Sequence, residues 1–138
     1  MNRLFLVIIL FVALTPFTPS GFAEAPPSIE YTPERYSKWL SEPDLGEFGK
    51  WFDKAGFWPL RVEGRLKDNK EQFRVIFERM PLSGQFGYYW WFNMEEDFYQ
   101  ARRAELAKTG FTEVSLQKFT TDNGETRYQA IWRKIEQP

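Results

Sequence analysis

The stretch from Gly56 to Met80 occurs a second time as Gly110 to Ile135, and this constrains the fold to two copies of one unit. The first copy reads GFWPLRVEGRLKDNKEQFRVIFERM and the second GFTEVSLQKFTTDNGETRYQAIWRKI. Gly56-Phe57 meets Gly110-Phe111 at an offset of 54, and Leu60 and Val62 meet Val114 and Leu116. One residue is gained in the turn, so Phe73, Val75, Ile76 and Phe77 meet Tyr128, Ala130, Ile131 and Trp132 at an offset of 55. A single unit cannot bury its apolar face, so the two share a core.

Period-two alternation identifies each copy as an antiparallel hairpin with one wet face. In the first, Trp58, Leu60, Val62 and Leu66 face inward, Lys67-Asp68-Asn69-Lys70 turns, and Phe73, Val75 and Phe77 return. In the second, Val114 and Leu116 face inward before Asp122-Asn123-Gly124, and Tyr128, Ala130 and Trp132 after it. A helix precedes each hairpin. Asp44 with Glu47 has the form of a capping box, followed by Leu45, Phe48, Trp51, Phe52 and Ala55 at helical spacing and by Gly56. Asn93 with Glu96 repeats that signature, and the second helix runs to Thr109. In it Met94, Phe98 and Ala101 lie together, with Tyr99 and Leu106 on the adjoining flank.

Between the copies, Pro81-Leu82-Ser83-Gly84 forms a turn and FGYYWWF a strand that is apolar on both faces. Phe86, Tyr88, Trp90 and Phe92 share one side; Tyr89 and Trp91 share the other. One layer of helices covers only one of them. The expected architecture is α+β, an antiparallel sheet of about five strands with helices on one face, in units 44–80 and 93–135 of a single domain spanning 44–138.

These units resemble the bacterial tandem repeat modules of secreted proteins, found beside β-lactamase-like serine hydrolase domains as in polyglycine hydrolases. The resemblance rests on Lys54-Ala55-Gly56-Phe57 and Lys108-Thr109-Gly110-Phe111, on the strand after each, and on the closing strands QFRVIFER and RYQAIWRK, across residues 44 to 135. In those larger proteins the catalytic serine belongs to the hydrolase part, so the resemblance carries no catalytic residue to this chain.

The N-terminus has the pattern of a secretory signal peptide: Met-Asn-Arg, then LFLVIILFVAL, then small residues. The apolar run is shorter than the roughly 20 residues of a membrane span. Gly21 and Ala23 suit positions −3 and −1, which places the signal at 1–23; Ala25 is the rival site, and an uncleaved anchor the other reading. Residues 24–43 are a Pro-rich tail in which Thr32-Pro33 start a short helix through Trp39 and Leu40. The expected location is secreted or periplasmic. Cysteine is absent, so no disulfide supports the domain. Aromatic residues make up 19% of the chain, enough to build a small core largely from rings.

The chemistry is bounded by what is missing. With no histidine and no cysteine, a Ser-His-Asp triad, a thiol nucleophile and a thiolate zinc site fall away. Glu95-Glu96-Asp97 complements a helix dipole, and the Asp-Asn pairs serve hairpin turns, so no metal and no cofactor is expected. A net charge of −1 with both signs interspersed argues against nucleic acid or an anionic membrane as partner. Exposed Trp and Tyr are the positive signal, because large rigid rings with a polar handle stack on sugars or anchor peptides. The candidates are Tyr89, Trp91, Trp58 and Trp39. They point to an exported, noncatalytic module that binds a protein, peptide or glycan. The alternatives are a small secreted hydrolase working through carboxylates and an envelope protein that self-associates into homo-oligomers. Cleavage after Ala23 predicts that N-terminal sequencing of the exported protein begins at Glu24; an intact Met-Asn-Arg start would identify an uncleaved anchor.

Overall fold

The computed structural model describes residues 36–81 and 85–136. The signal segment, Thr32-Pro33 and Leu82 to Gly84 lie outside them. In chain order the elements are α1 (Glu42–Lys54), β1 (Phe57–Lys67), β2 (Lys70–Arg79), β3 (Gln85–Met94), α2 (Glu96–Lys108), β4 (Thr112–Thr120) and β5 (Thr126–Glu136). The class is α+β with five antiparallel strands, divided between a two-stranded sheet β1-β2 and a three-stranded sheet in the order β3-β5-β4.

The duplication is visible in backbone detail. Both helices have 13 residues and their ends agree at the offset of 54. Gly56 and Gly110 both close a helix with positive φ, at 81° and 85°. Each hairpin also has an irregularity at the same place, between Pro59 and Arg61 in β1 and between Glu113 and Ser115 in β4. The first turn is the two-residue pair Asp68-Asn69, both with positive φ; the second is Asp122-Asn123-Gly124, with Gly124 at φ 84°. These are the two commonest hairpin connections, which accounts for the inserted residue.

The repeat begins earlier than the sequence pattern indicates. Tyr36 to Leu40 is extended, not helical: Leu40 and Phe73 exchange both backbone hydrogen bonds, at 2.7 and 2.8 Å, and Ser37 N donates to Val75 O at 2.8 Å. The Leu40–Phe73 pair maps onto Met94–Tyr128 of β3 and β5 under the offsets of 54 and 55. The unit is therefore strand, helix, hairpin. FGYYWWF is the opening strand of the second unit rather than an insertion between copies.

Both helix starts differ from the expected caps. Ser41, not Asp44, caps α1, its Oγ accepting from Asp44 N at 3.3 Å. Pro43 sits in the first turn, where its missing N–H costs nothing, so Glu42-Pro43 begins the helix. Glu95 is the N-cap of α2, without a side-chain bond. Asn93 instead takes φ 56° and turns the chain between β3 and α2, a conformation that Asn tolerates better than most residues.

The units stack head to tail. Leu45, Phe48 and Phe52 of α1 join Val62, Phe73 and Val75 of their own hairpin, and the same cluster takes in Trp90 and Ile131 of the second unit. α1 thus lies between two sheets. α2 covers the other side of the second sheet, where Tyr99 and Leu106 pack on Tyr128, Ala130 and Trp132. The two helices therefore flank β3 on opposite sides, which explains why that strand is apolar on both faces. Ala101 is exposed on the far side of α2.

Position by position, the surfaces at the two ends of the stack are charged where the junction is apolar. Phe48, Gly49 and Trp51 of α1 correspond to Arg102, Arg103 and Glu105 of α2. Phe119 and Gln129, which face the first unit, correspond to Arg65 and Arg74. Terminal repeats need a polar outer face for solubility. At the junction a Cβ on Gly49 would stand 2.4 Å from the Trp90 ring, and one on Gly64 would stand 2.7 Å from Phe119. Gln117 seals the sheet-to-sheet contact, accepting from Gly64 N and donating to Gly64 O, each at 2.8 Å.

Three inward assignments are overturned, and the repeated bulges account for two of them, Leu60 and Val114, each the extra residue of its bulge. Each bulge inserts one residue and reverses the alternation. Leu60 is 42% exposed, Val114 48% and Leu116 41%. Gly49→Ala is expected to destabilise the protein by about 1–3 kcal/mol through overpacking, whereas Arg103→Ala at the matching place in α2 is neutral or slightly stabilising, as denaturant unfolding of both variants will show.

Candidate functional site

The four ring candidates fall in three places. Trp58 leaves the set: it is 3% exposed, its Nε1 donates to Glu78 at 3.0 Å, and the Arg133 guanidinium lies 3.9 Å over its ring. Arg133 also donates to Pro59 O at 2.6 Å and to Glu78 at 2.7 Å. Trp58 is a joint between the units, held on both faces.

Trp39 stands alone at the outer face of the first unit. The guanidinium groups of Arg65 and Arg74 lie 3.9 and 4.6 Å from its ring centre, and Arg74 lies 4.0 Å from the ring of Tyr36. Arg74 pairs with Glu63 at 2.8 Å, and Glu63 accepts from Tyr36 Oη at 2.8 Å. Burial and then that carboxylate raise the Tyr36 phenol above its usual range. The ring of Trp39 is half-buried in a stack of alternating cations and aromatics. No repeat or spacing in the sequence signalled this stack, because the short strand that positions Trp39 was read as a helix.

Tyr89 and Trp91 come together. They are two residues apart on one side of β3, with ring centres 5.3 Å apart and planes 13° from parallel. Phe111 meets Tyr89 edge-on at 4.9 Å; Phe98 and Trp132 meet Trp91 at 6.2 and 5.7 Å. Both rings are half-buried beside α2, whose Arg102 and Glu105 pair at 2.6 Å. Burial, then Glu105, raises the Tyr89 phenol, and Arg102 opposes them. Among the described residues neither Tyr89 Oη nor Trp91 Nε1 has a hydrogen-bond partner. Their neighbours differ: Tyr88 Oη donates to Asp53 and Tyr99 Oη to Glu113 at 2.9 Å.

Most carboxylates hold ion pairs or phenols. Glu42 and Glu71 instead share one amide: both accept from Asn93 Nδ2, at 2.8 and 2.9 Å. One amide group thus ties the start of α1 and the start of β2 to the end of β3.

Residues 87–135 match the family described as polyglycine hydrolase-like, structural repeat. The match runs from β3 through α2 and β4 into β5, which is the second unit with its opening strand included. What matches is a structural module and not a catalytic domain. No curated protein and no solved structure matches the chain.

The buried phenols make stability sensitive to alkali. Burial and then the Glu113 hydrogen bond push Tyr99 up to about 12, and burial and Asp53 raise Tyr88 further. A phenol whose folded pKa exceeds its unfolded value near 10 stabilises the fold fully below that value and loses the effect as pH rises towards the folded one. Urea midpoints are expected to hold steady up to about pH 9.5 and to fall between about 10 and 12, with a shallower fall in Tyr99→Phe.

Proposed function

We propose that the protein is an exported, noncatalytic recognition module that holds a protein, peptide or glycan on the Tyr89–Trp91 pair. The observation that carries this reading is the state of those two side chains. Both rings are half-buried and stacked, and both polar handles are unused among the described residues. Trp58 and Tyr99 differ from the pair: each is enclosed and has its polar atom hydrogen-bonded. A stacked pair fixed by Phe111, Phe98 and Trp132 is already ordered, so binding to it costs little side-chain entropy. A repeat module of the polyglycine hydrolase-like kind, without catalytic machinery of its own, suits an accessory role. The signal-like N-terminus supports action in the periplasm or outside the cell.

The test is a screen of the full chain on glycan and peptide arrays, followed by titration of the ligands found. Trp91→Ala is expected to weaken binding by about tenfold or more, the scale of an aromatic anchor, at a stability cost of about 2 kcal/mol. Trp58→Phe is expected to bind normally although it loses the Glu78 hydrogen bond. Equal binding by wild type and Trp91→Ala refutes the reading.

A further inference from the structure

We propose that the open edge of β3 is a docking site for one extended peptide strand of a partner, paired with the backbone of Gln85–Trp91 and lying against Tyr89 and Trp91. This rests on the reading of that ring pair as a recognition surface and specifies what the surface takes.

The edges of the two sheets are treated differently. β1 carries Pro59, a bulge, and the charges Arg61, Glu63, Arg65 and Lys67. β4 carries a bulge beside Glu113, and Lys118 follows. The second edge of β2 is bridged by Ser37 and Leu40. All of these are ways in which proteins block strand addition. β3 has none of them from Gln85 to Trp91: there is no charge, no proline and no register shift. It pairs only with β5, and no other described segment pairs with its second edge. An unguarded, uncharged edge is where a peptide adds as a further strand, drawing affinity from main-chain hydrogen bonds and selectivity from side-chain pockets.

The second observation is on α1. This helix runs along β3, with Glu42 at Asn93, Gly49 at Trp90 and Asp53 at Tyr88. Gly46 lies on that same stripe of the helix, since residues at three- and four-residue spacing share a face. A Cβ at Gly46 would meet nothing within 4 Å, so packing does not demand this glycine. A helix-interior glycine costs about 1 kcal/mol relative to alanine. Its bare backbone leaves room beside β3 where an added strand would pass.

A second copy of the chain fits this edge less well than a single strand. Paired strands lie about 4.8 Å apart, while packed helices need about 8–10 Å between their axes. Pairing β3 with its twin would also bring two α1 helices, each packed on Trp90 of its own β3, towards one another. A single peptide strand brings no helix with it.

The probe is a fluorescein-labelled decapeptide of alternating Thr and Val, together with the same peptide methylated on alternate main-chain nitrogens, titrated into the full chain. The unmethylated peptide is expected to bind saturably and to slow hydrogen exchange in β3, with the methylated form about tenfold weaker or more. Gly46→Gln is expected to weaken binding about fivefold without lowering Tm, because Gln favours the helix over Gly. Equal binding of both peptides overturns strand pairing but leaves the rings as a recognition surface. Peptide binding that survives Trp91→Ala yet is lost on methylation refutes the ring reading and leaves strand pairing standing. Failure of both peptides to bind overturns the proposal. So does β3 exchange that is already slow without peptide, which would show the edge filled by the chain's own residues before Tyr36, and so does a mass in sedimentation that rises with concentration.

Discussion

Helix α1 is packed on two sides, and this rests on the contact of the Trp90 ring with the bare backbone at Gly49. A 13-residue helix has little stability of its own in water. Its apolar residues Leu45, Phe48 and Phe52 are enclosed only when the second sheet closes over them. At about 1.5–3 kcal/mol for each large side chain buried, this junction is comparable with the whole net stability of a small domain. The Gln117 amide on Gly64, Arg133 on Pro59 and Glu78, and Asn93 between Glu42 and Glu71 fix the same junction with polar groups. These bonds set the relative orientation of the units, while the rings supply the burial.

Much of the fold was legible because local chemistry and tertiary packing agree. The hairpin arms alternate with period two, and Asp68-Asn69 and Asp122-Asn123-Gly124 are strong turn signals, so both hairpins and all five strands stand where the pattern puts them. The misreadings have specific causes. Tyr36 to Leu40 is too short to show a strand period, and its pairing with Phe73 and Val75 is remote in sequence. A bulge inserts a single residue, and one residue is enough to reverse a strand's faces, which is how Leu60 and Val114 came to be assigned inward. Ser41 and Asp44 are both good caps, and only the backbone decides between them.

The candidate site was half legible. The rings on both sides of β3 signalled that two layers meet there, and Tyr89 and Trp91 do form a pair on one of them. Trp58 carried the same residue type and alternation, yet it is enclosed by Arg133 and Glu78, whose arrival depends on the packing of the two units. The unguarded edge of β3 was present as a lack of charge from Gln85 to Trp91, but whether a strand is at an edge is a property of sheet order, which an isolated segment does not encode.

The head-to-tail stack also gives the chain a direction in time. The second unit's cluster under α2 is made wholly of its own residues, whereas the cluster around α1 needs Trp90 and Ile131. A chain that emerges from its N-terminus therefore presents the greasy side of α1 long before the residues that cover it have appeared. The half made first is the half finished last.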